Sequence, residues 1–156
     1  MKHLPILVIL FPLCGALLCP LLGKLSKNAG KRAVLCALFA SAVCAAMQLV
    51  QVVRGGVALH YWLGGWKPPY GIEFVVDGIS APIILLVALI SFLTALYSSP
   101  FEETETHSPM RVSVYYTTLS CLAIGLLGMA STGDVFNLYV FMEITALAGY
   151  GLIAAG

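Results

Sequence analysis

Five apolar runs, each close to twenty residues long, constrain this chain more than any other feature of its sequence. A helix needs about twenty residues to cross a hydrocarbon core about 30 Å thick, and there every backbone polar group must be bonded internally. Hydrophobic residues make up 60% of the 156 residues and charged residues 10%, unlike a soluble domain. The runs lie at about 4–22, 33–53, 79–98, 112–130 and 135–155. We therefore predict an all-α membrane protein with five transmembrane helices in a single domain, residues 1–156.

The first apolar run follows Lys2 and could be mistaken for a signal peptide. It lacks a small-residue cleavage pattern before a polar mature domain, so we interpret it as a transmembrane helix. The segment 23–32 carries four of the eight basic residues, and the positive-inside rule places it in the cytoplasm. The acidic segment 101–109 does not change this assignment, because acidic residues contribute little to the rule. We expect the N-terminus outside and the C-terminus in the cytoplasm.

The segment 54–77 is the longest stretch between two apolar runs. Two strand-like runs, 57–63 and 72–76, flank Gly64 and Gly65 and predict a short β-hairpin outside the membrane, between helices 2 and 3. Its aromatic residues suit the membrane interface. His60 and Glu73 could form a surface ion site, but no further ligand accompanies them, so a solvated hairpin is the favoured interpretation.

Few residue patterns in the chain indicate chemistry. The five cysteines all fall inside apolar runs without a C-x-x-C pair, so we interpret them as small buried hydrophobic residues. We predict no metal site, no cofactor and no catalytic site, since neither clustered ligands nor a nucleophile with a base is visible. A net charge of +1 gives no indication of a nucleic-acid partner.

Several small and polar residues have an expected structural role. Ala33, Ala37, Ser41 and Ala45 recur every four residues and predict a close approach of another helix to helix 2. Asp77 or Ser80 is suited to cap the third helix, and Asp134 or Thr132 the fifth. Asp77 also has an alternative role, the collection of protons or cations at the outer surface.

Glu143 is the residue that most needs an explanation. It lies nine residues after Asp134, about 14 Å along a helix and close to the bilayer centre. A carboxylate there costs a few kcal/mol or more, so such residues usually face a protein interior or a water file and belong to an ion pathway. Helical spacing places on its face Phe136, Tyr139 or Val140, Ala146 or Leu147, and Tyr150. The alternative is a structural hydrogen bond from Glu143 to a neighbouring helix.

Two motifs resemble the antiporter-like subunits shared by Mrp-type sodium/proton antiporters, respiratory complex I and membrane-bound hydrogenases. The first is Val76-Asp-Gly-Ile-Ser-Ala81, preceded by Trp66-Lys-Pro-Pro-Tyr-Gly-Ile-Glu73. The second is Thr132-Gly-Asp-Val-Phe-Asn-Leu-Tyr-Val-Phe-Met-Glu-Ile144. The resemblance is strongest to the Mrp D-type subunit and covers essentially the whole chain.

The resemblance implies roles for individual residues. Glu143 matches a glutamate that pairs with a lysine on the family's seventh helix and gates proton movement, and Asp77 matches an aspartate at the start of the third helix. Tyr150, on the face of Glu143, is a further candidate for the proton pathway. The resemblance also implies protons as the transported ions, with Na⁺ as a further candidate, a bacterial or archaeal inner membrane as the location, and any redox chemistry in partner subunits.

This chain departs from the family pattern in one respect. It reaches Gly156 before the family's broken helices and intramembrane lysines. We therefore expect a split or truncated subunit for proton or cation translocation that obtains its lysines from another chain of a multisubunit complex. The alternative is a structural or assembly subunit of the same kind of complex that does not itself transport ions.

Overall fold

Five α-helices and one small sheet make up most of the described part of the fold. The computed structural model describes residues 3–25, 28–67, 70–105 and 109–155. The helices are α1 (Leu4–Leu25), α2 (Ala29–Gly55), α3 (Ser80–Glu105), α4 (Pro109–Ser131) and α5 (Val135–Ala155), and strands β1 (Leu59–Trp62) and β2 (Glu73–Val76) lie between α2 and α3. All five helices are long and apolar enough to cross a membrane. The predicted all-α membrane fold with its hairpin is confirmed.

Most helices extend beyond their apolar runs. Helix α2 begins at Ala29 instead of residue 33 and includes Lys31 and Arg32, so the predicted basic loop is largely helical. Helix α3 continues to Glu105, into the segment 101–109 that sequence analysis treated as a loop. Hydropathy marks only the part of a helix that lies in hydrocarbon, whereas Lys, Arg and Glu are good helix formers that continue it into water.

Helix α4 occupies the centre of the bundle. It packs against each of the other four helices, whereas α5 packs chiefly against α4. In the most apolar part of α4, 44% of the residues are buried, against 17% for α5. Helix α5 is therefore a peripheral helix of this chain, with much of its surface uncovered.

The interface between α1 and α2 uses the small residues of α2. A Cβ atom added to Gly15 would lie 2.8 Å from that of Ala37, so the two backbones approach closely there. The Ser41 hydroxyl donates a hydrogen bond to the carbonyl oxygen of Val8 at 2.6 Å. These contacts confirm the close approach that the four-residue spacing of small side chains predicted.

The hairpin lies at one end of the bundle, which we call the hairpin side. Strands β1 and β2 are antiparallel, with Leu59 opposite Val76 and Trp62 opposite Glu73. The connection between them is longer than the predicted Gly-Gly turn, although Gly64 and Gly65 do have positive φ values of 66° and 79°. The Gly133 N–H donates to the Glu73 carbonyl oxygen at 2.9 Å, which joins β2 to the turn between α4 and α5.

Candidate functional site on helix α5

The start of α5 is fixed by a cap on the hairpin side. The Asp134 carboxylate accepts hydrogen bonds from the backbone N–H groups of Phe136 at 3.2 Å and Asn137 at 3.4 Å. The Asn137 side chain donates to the Thr132 hydroxyl at 3.0 Å. Of the two predicted cap residues, Asp134 therefore occupies the capping position and Thr132 supports it.

Close packing against α4 determines how α5 is rotated about its axis. A side chain at Gly128 would overlap the Phe141 ring, and one at Gly125 would overlap the Thr145 hydroxyl. The Thr145 hydroxyl instead donates to the Phe141 carbonyl oxygen at 2.8 Å. Phe141 is 8% exposed and Ala148 is 5% exposed, so these residues mark the face of α5 that meets α4.

This rotation directs Glu143 away from the bundle. Glu143 is exposed, and it shares its face with the equally exposed Phe136, Tyr139, Leu147 and Tyr150. We call this surface, residues 136, 139, 143, 147 and 150, the α5 outer face. Its membership agrees with the helical spacing, which placed Glu143 beside aromatic residues.

No helix in the described part of the chain covers the middle of the α5 outer face. The Tyr139 side chain, one turn before Glu143, interacts with the carboxylate. One hydroxyl does not replace the hydration that a carboxylate loses at mid-membrane depth, where exposure to lipid costs a few kcal/mol or more. The expected protein-lined environment of Glu143 thus requires protein beyond these described residues.

Asp77 lies in a different place, at the start of α3 on the hairpin side. Its carboxylate accepts hydrogen bonds from the N–H groups of Ser80 at 2.7 Å and Ile79 at 2.9 Å, and the Ser80 hydroxyl accepts one from the Asp77 N–H at 2.7 Å. The backbone hydrogen bond from Ser80, followed by that from Ile79, lowers the pKa of Asp77. These bonds describe a reciprocal helix cap, and the structure does not bring Asp77 together with Glu143.

The side chain of Gln48, a residue that no sequence pattern indicated as functional, lies inside the bundle with 1% exposure. A glutamine within an apolar run was the available signal, since an amide is costly to bury without partners. Ser120 on α4 is likewise buried, and the hydroxyl of Ser120 and the amide of Gln48 both lack a hydrogen-bond partner within the described residues.

The sequence is similar to that of curated bacterial membrane subunits. It is 40% identical over 154 residues to the N-type subunit of NADH-quinone oxidoreductase of Desulforudis audaxviator, covering 99% of this chain and 30% of that protein. It is 37% identical over 163 residues to the D-type subunit of the Na(+)/H(+) antiporter of Bacillus subtilis, covering 100% of this chain and 30% of that protein. The chain thus spans about a third of the length of these relatives.

The fold is similar to that of chains in two solved membrane complexes. One is the membrane-bound sulfane sulfur reductase, an archaeal respiratory membrane complex, with a TM-score of 0.84 and 35% identity over 95% of this chain and 29% of that one. The other is the Mrp complex from Dietzia sp. DQ12-45-1b, with a TM-score of 0.69 and 25% identity over 97% of this chain and 27% of that one. No protein-family model matches the chain. The similarities in sequence and fold confirm the resemblance to the antiporter-like subunits.

Proposed function

Because this chain is a homologue of part of the antiporter-like subunits of Mrp-type antiporters and complex I-like assemblies, we propose that it contributes Glu143 to proton translocation in a multisubunit membrane complex. The observation that carries the proposal is the position of Glu143, exposed on the α5 outer face halfway along a membrane helix. An ionisable group at that depth is favoured only where it faces protein or water.

The chemistry of the site is the uptake and release of one proton. A cation brought close to the carboxyl group favours its ionised form and releases the proton, and withdrawal of the cation allows the proton to bind again. The cation in this proposal is a lysine on a helix that covers the α5 outer face. Among the described residues, lysines lie only near helix ends and in the hairpin, at positions 24, 31 and 67, so the lysine of this proposal lies outside them, on a further segment or a partner subunit.

We further propose an orientation for the chain in the membrane and the ions that it transports. The hairpin side faces the outside of a bacterial or archaeal cell membrane, and the basic residues at the end of α1 and the start of α2, Lys24, Lys31 and Arg32, face the cytoplasm. Asp77 lies at the outer surface, and Tyr150 extends the α5 outer face two turns beyond Glu143. Protons are the transported ions, with Na⁺ as a candidate for exchange.

The test is proton movement by the intact complex in membrane vesicles, with Glu143→Gln compared with wild type. The amide keeps the size of the side chain and cannot release a proton, so we expect at least a tenfold loss of coupled proton transport while the complex remains assembled. Glu143→Asp, which restores a carboxyl group, should recover part of the rate.

Met142→Leu provides a control on α5 outside the α5 outer face, because it keeps an exposed apolar side chain of similar volume and leaves the carboxyl group in place. Its transport rate per assembled complex should remain close to that of wild type. An unchanged rate in Glu143→Gln would refute the role of Glu143 and favour a structural subunit. A second result would also refute it: Glu143→Gln lowers the amount of assembled complex, and the complexes that do assemble transport protons at the wild-type rate.

A further inference from the structure

Gln48 lies on the buried face of α2 with no partner for its amide group. The side chain is 1% exposed, and neither Nε2 nor Oε1 forms a hydrogen bond within the described residues. Ser41 and Val52, on the same face of the helix, are also buried. Since this chain itself encloses Gln48, no lipid and no neighbouring subunit can reach the amide.

The other unpartnered polar atoms do not pose the same problem. Thr117 and Ser120 on α4 also have buried hydroxyl groups without partners. A hydroxyl hydrogen rotates freely, and Ser or Thr in a helix can bond the carbonyl oxygen four residues earlier, as Thr118 does to Val114 at 2.7 Å. An amide has two donors and an acceptor, which a small polar molecule beside it can satisfy. Buried waters in proteins usually supply such bonds.

A cavity on the hairpin side comes close to Gln48. Its volume is about 870 Å³, and its lining includes His3, Gln51, His60 and Tyr61. Gln51 lies three residues after Gln48 on α2, about 4.5 Å further toward the hairpin side and on nearly the same face. Gln51 thus places one wall of the cavity about one helical turn from Gln48.

We propose that Gln48 binds internal water that is continuous with this cavity, so that a narrow water inlet leads from the hairpin side into the bundle. The inlet reaches about 10 Å below the end of α2 at Gly55, since Gln48 lies seven residues earlier. The polar side chains of His3, Gln51 and Tyr61 line its wide part. The site is separate from Glu143, which lies on the outer face of α5.

Radiolytic footprinting of the intact complex in native membranes tests this inlet, because hydroxyl radicals formed from bound water oxidise adjacent side chains. Cys44 lies one turn from Gln48 and is 7% exposed, whereas Cys19 is 0% exposed and lies near the other end of the bundle, 3.6 Å from the Ser113 carbonyl oxygen. Both are free thiols. We expect Cys44 to be oxidised at least fivefold faster than Cys19.

Two variants test whether the oxidation of Cys44 depends on Gln48. Gln48→Met has a similar volume and no hydrogen-bonding amide, and it should lower the Cys44 rate to that of Cys19. Met47→Leu changes the adjacent position, which lies on the surface of the bundle, and should leave the Cys44 rate within twofold of wild type.

Equal oxidation of Cys44 and Cys19 in wild type would overturn the inlet, and this comparison needs no variant to fold. A higher melting temperature of Gln48→Met, with an unchanged Cys44 rate, would also overturn it. That result would show that no water bonds the Gln48 amide, because removal of an unpaired buried polar group stabilises the protein.

Discussion

Glu143 and Gln48 are both polar residues in apolar helices, but they differ in burial. Gln48 is enclosed by its own chain, whereas Glu143 is exposed on the surface of the bundle. A small molecule such as water would satisfy the first, and another protein segment or water would satisfy the second. The side of the helix on which a polar residue lies therefore determines which partners it can bond.

Asp77 supports a prediction at the scale of a single residue. Hydrogen bonds from the Ser80 and Ile79 backbone lower the pKa of Asp77 in the folded state. The ionised cap therefore stabilises the protein at pH values above the unfolded-state pKa, near 3.8. That stabilisation is lost as the pH falls through the lower, folded-state pKa.

Asp77→Ala should lower the melting temperature of the purified protein at neutral pH, because the first turn of α3 loses its cap. Asp77→Asn is the matched control, since asparagine caps helices about as well as aspartate and does not titrate. Below pH 4, the melting temperature of wild type should fall relative to that of Asp77→Asn. A difference that stays constant between pH 7 and pH 3 would contradict the role of the ionised cap.

At the scale of an element, α5 shows how a helix acquires its orientation. Apolar residues surround the helix, so its sequence specifies no strong preference for one buried face. Gly125 and Gly128 on α4 determine which face is buried, because they allow Phe141 and Thr145 to approach the α4 backbone. Once that face is buried, Glu143 must lie on the opposite side.

Gly128→Ala should test this interface. The added methyl group overlaps the Phe141 ring, and overpacking of this kind lowers the free energy of unfolding by about 1–3 kcal/mol. Gly149→Ala is the control on α5, since nothing lies within 4 Å of its added Cβ atom. It should have no destabilising effect, because alanine favours a helix more than glycine does.

The free energy of unfolding of both glycine variants can be measured in a mild detergent. A denaturing detergent is added in increasing amounts, and the loss of helix is followed by circular dichroism. Equal stability of Gly128→Ala and Gly149→Ala would show that the contact with Phe141 does not determine the position of α5.

At the scale of the whole molecule, α4 lies in the centre and α5 at the edge. The hairpin also contributes, since the bond from Gly133 to the Glu73 carbonyl oxygen attaches the start of α5 to β2. The α5 outer face remains available to other subunits or segments. A partner that covers it would remove Glu143 from lipid and complete the proposed proton site.

Carbene footprinting with a lipid-soluble diazirine in native membranes would show whether this face is covered. Leu147 on α5 and Leu93 on α3 are 67% and 56% exposed in the chain itself, and each lies about 18–20 Å from the hairpin-side end of its helix. We expect labelling of Leu147 to be several-fold weaker than that of Leu93. Equally strong labelling at both positions would indicate that lipid covers the α5 outer face.

The sequence by itself determined the five membrane helices, the hairpin between the second and third, the presence of caps at the starts of the third and fifth helices, and the close approach of another helix to α2. These features depend on local composition and short-range spacing. It also identified the residues that share a face with Glu143, since helical geometry relates positions three and four apart.

Only the tertiary structure decided which way that face points and which polar residue is enclosed. Helices that are apolar all round carry no local signal for their rotation, because lipid and protein are equally favourable surroundings for their side chains. The rotation is set by small contacts between distant segments, such as Gly128 with Phe141. The same contacts expose Glu143, while the packing around α2 buries Gln48.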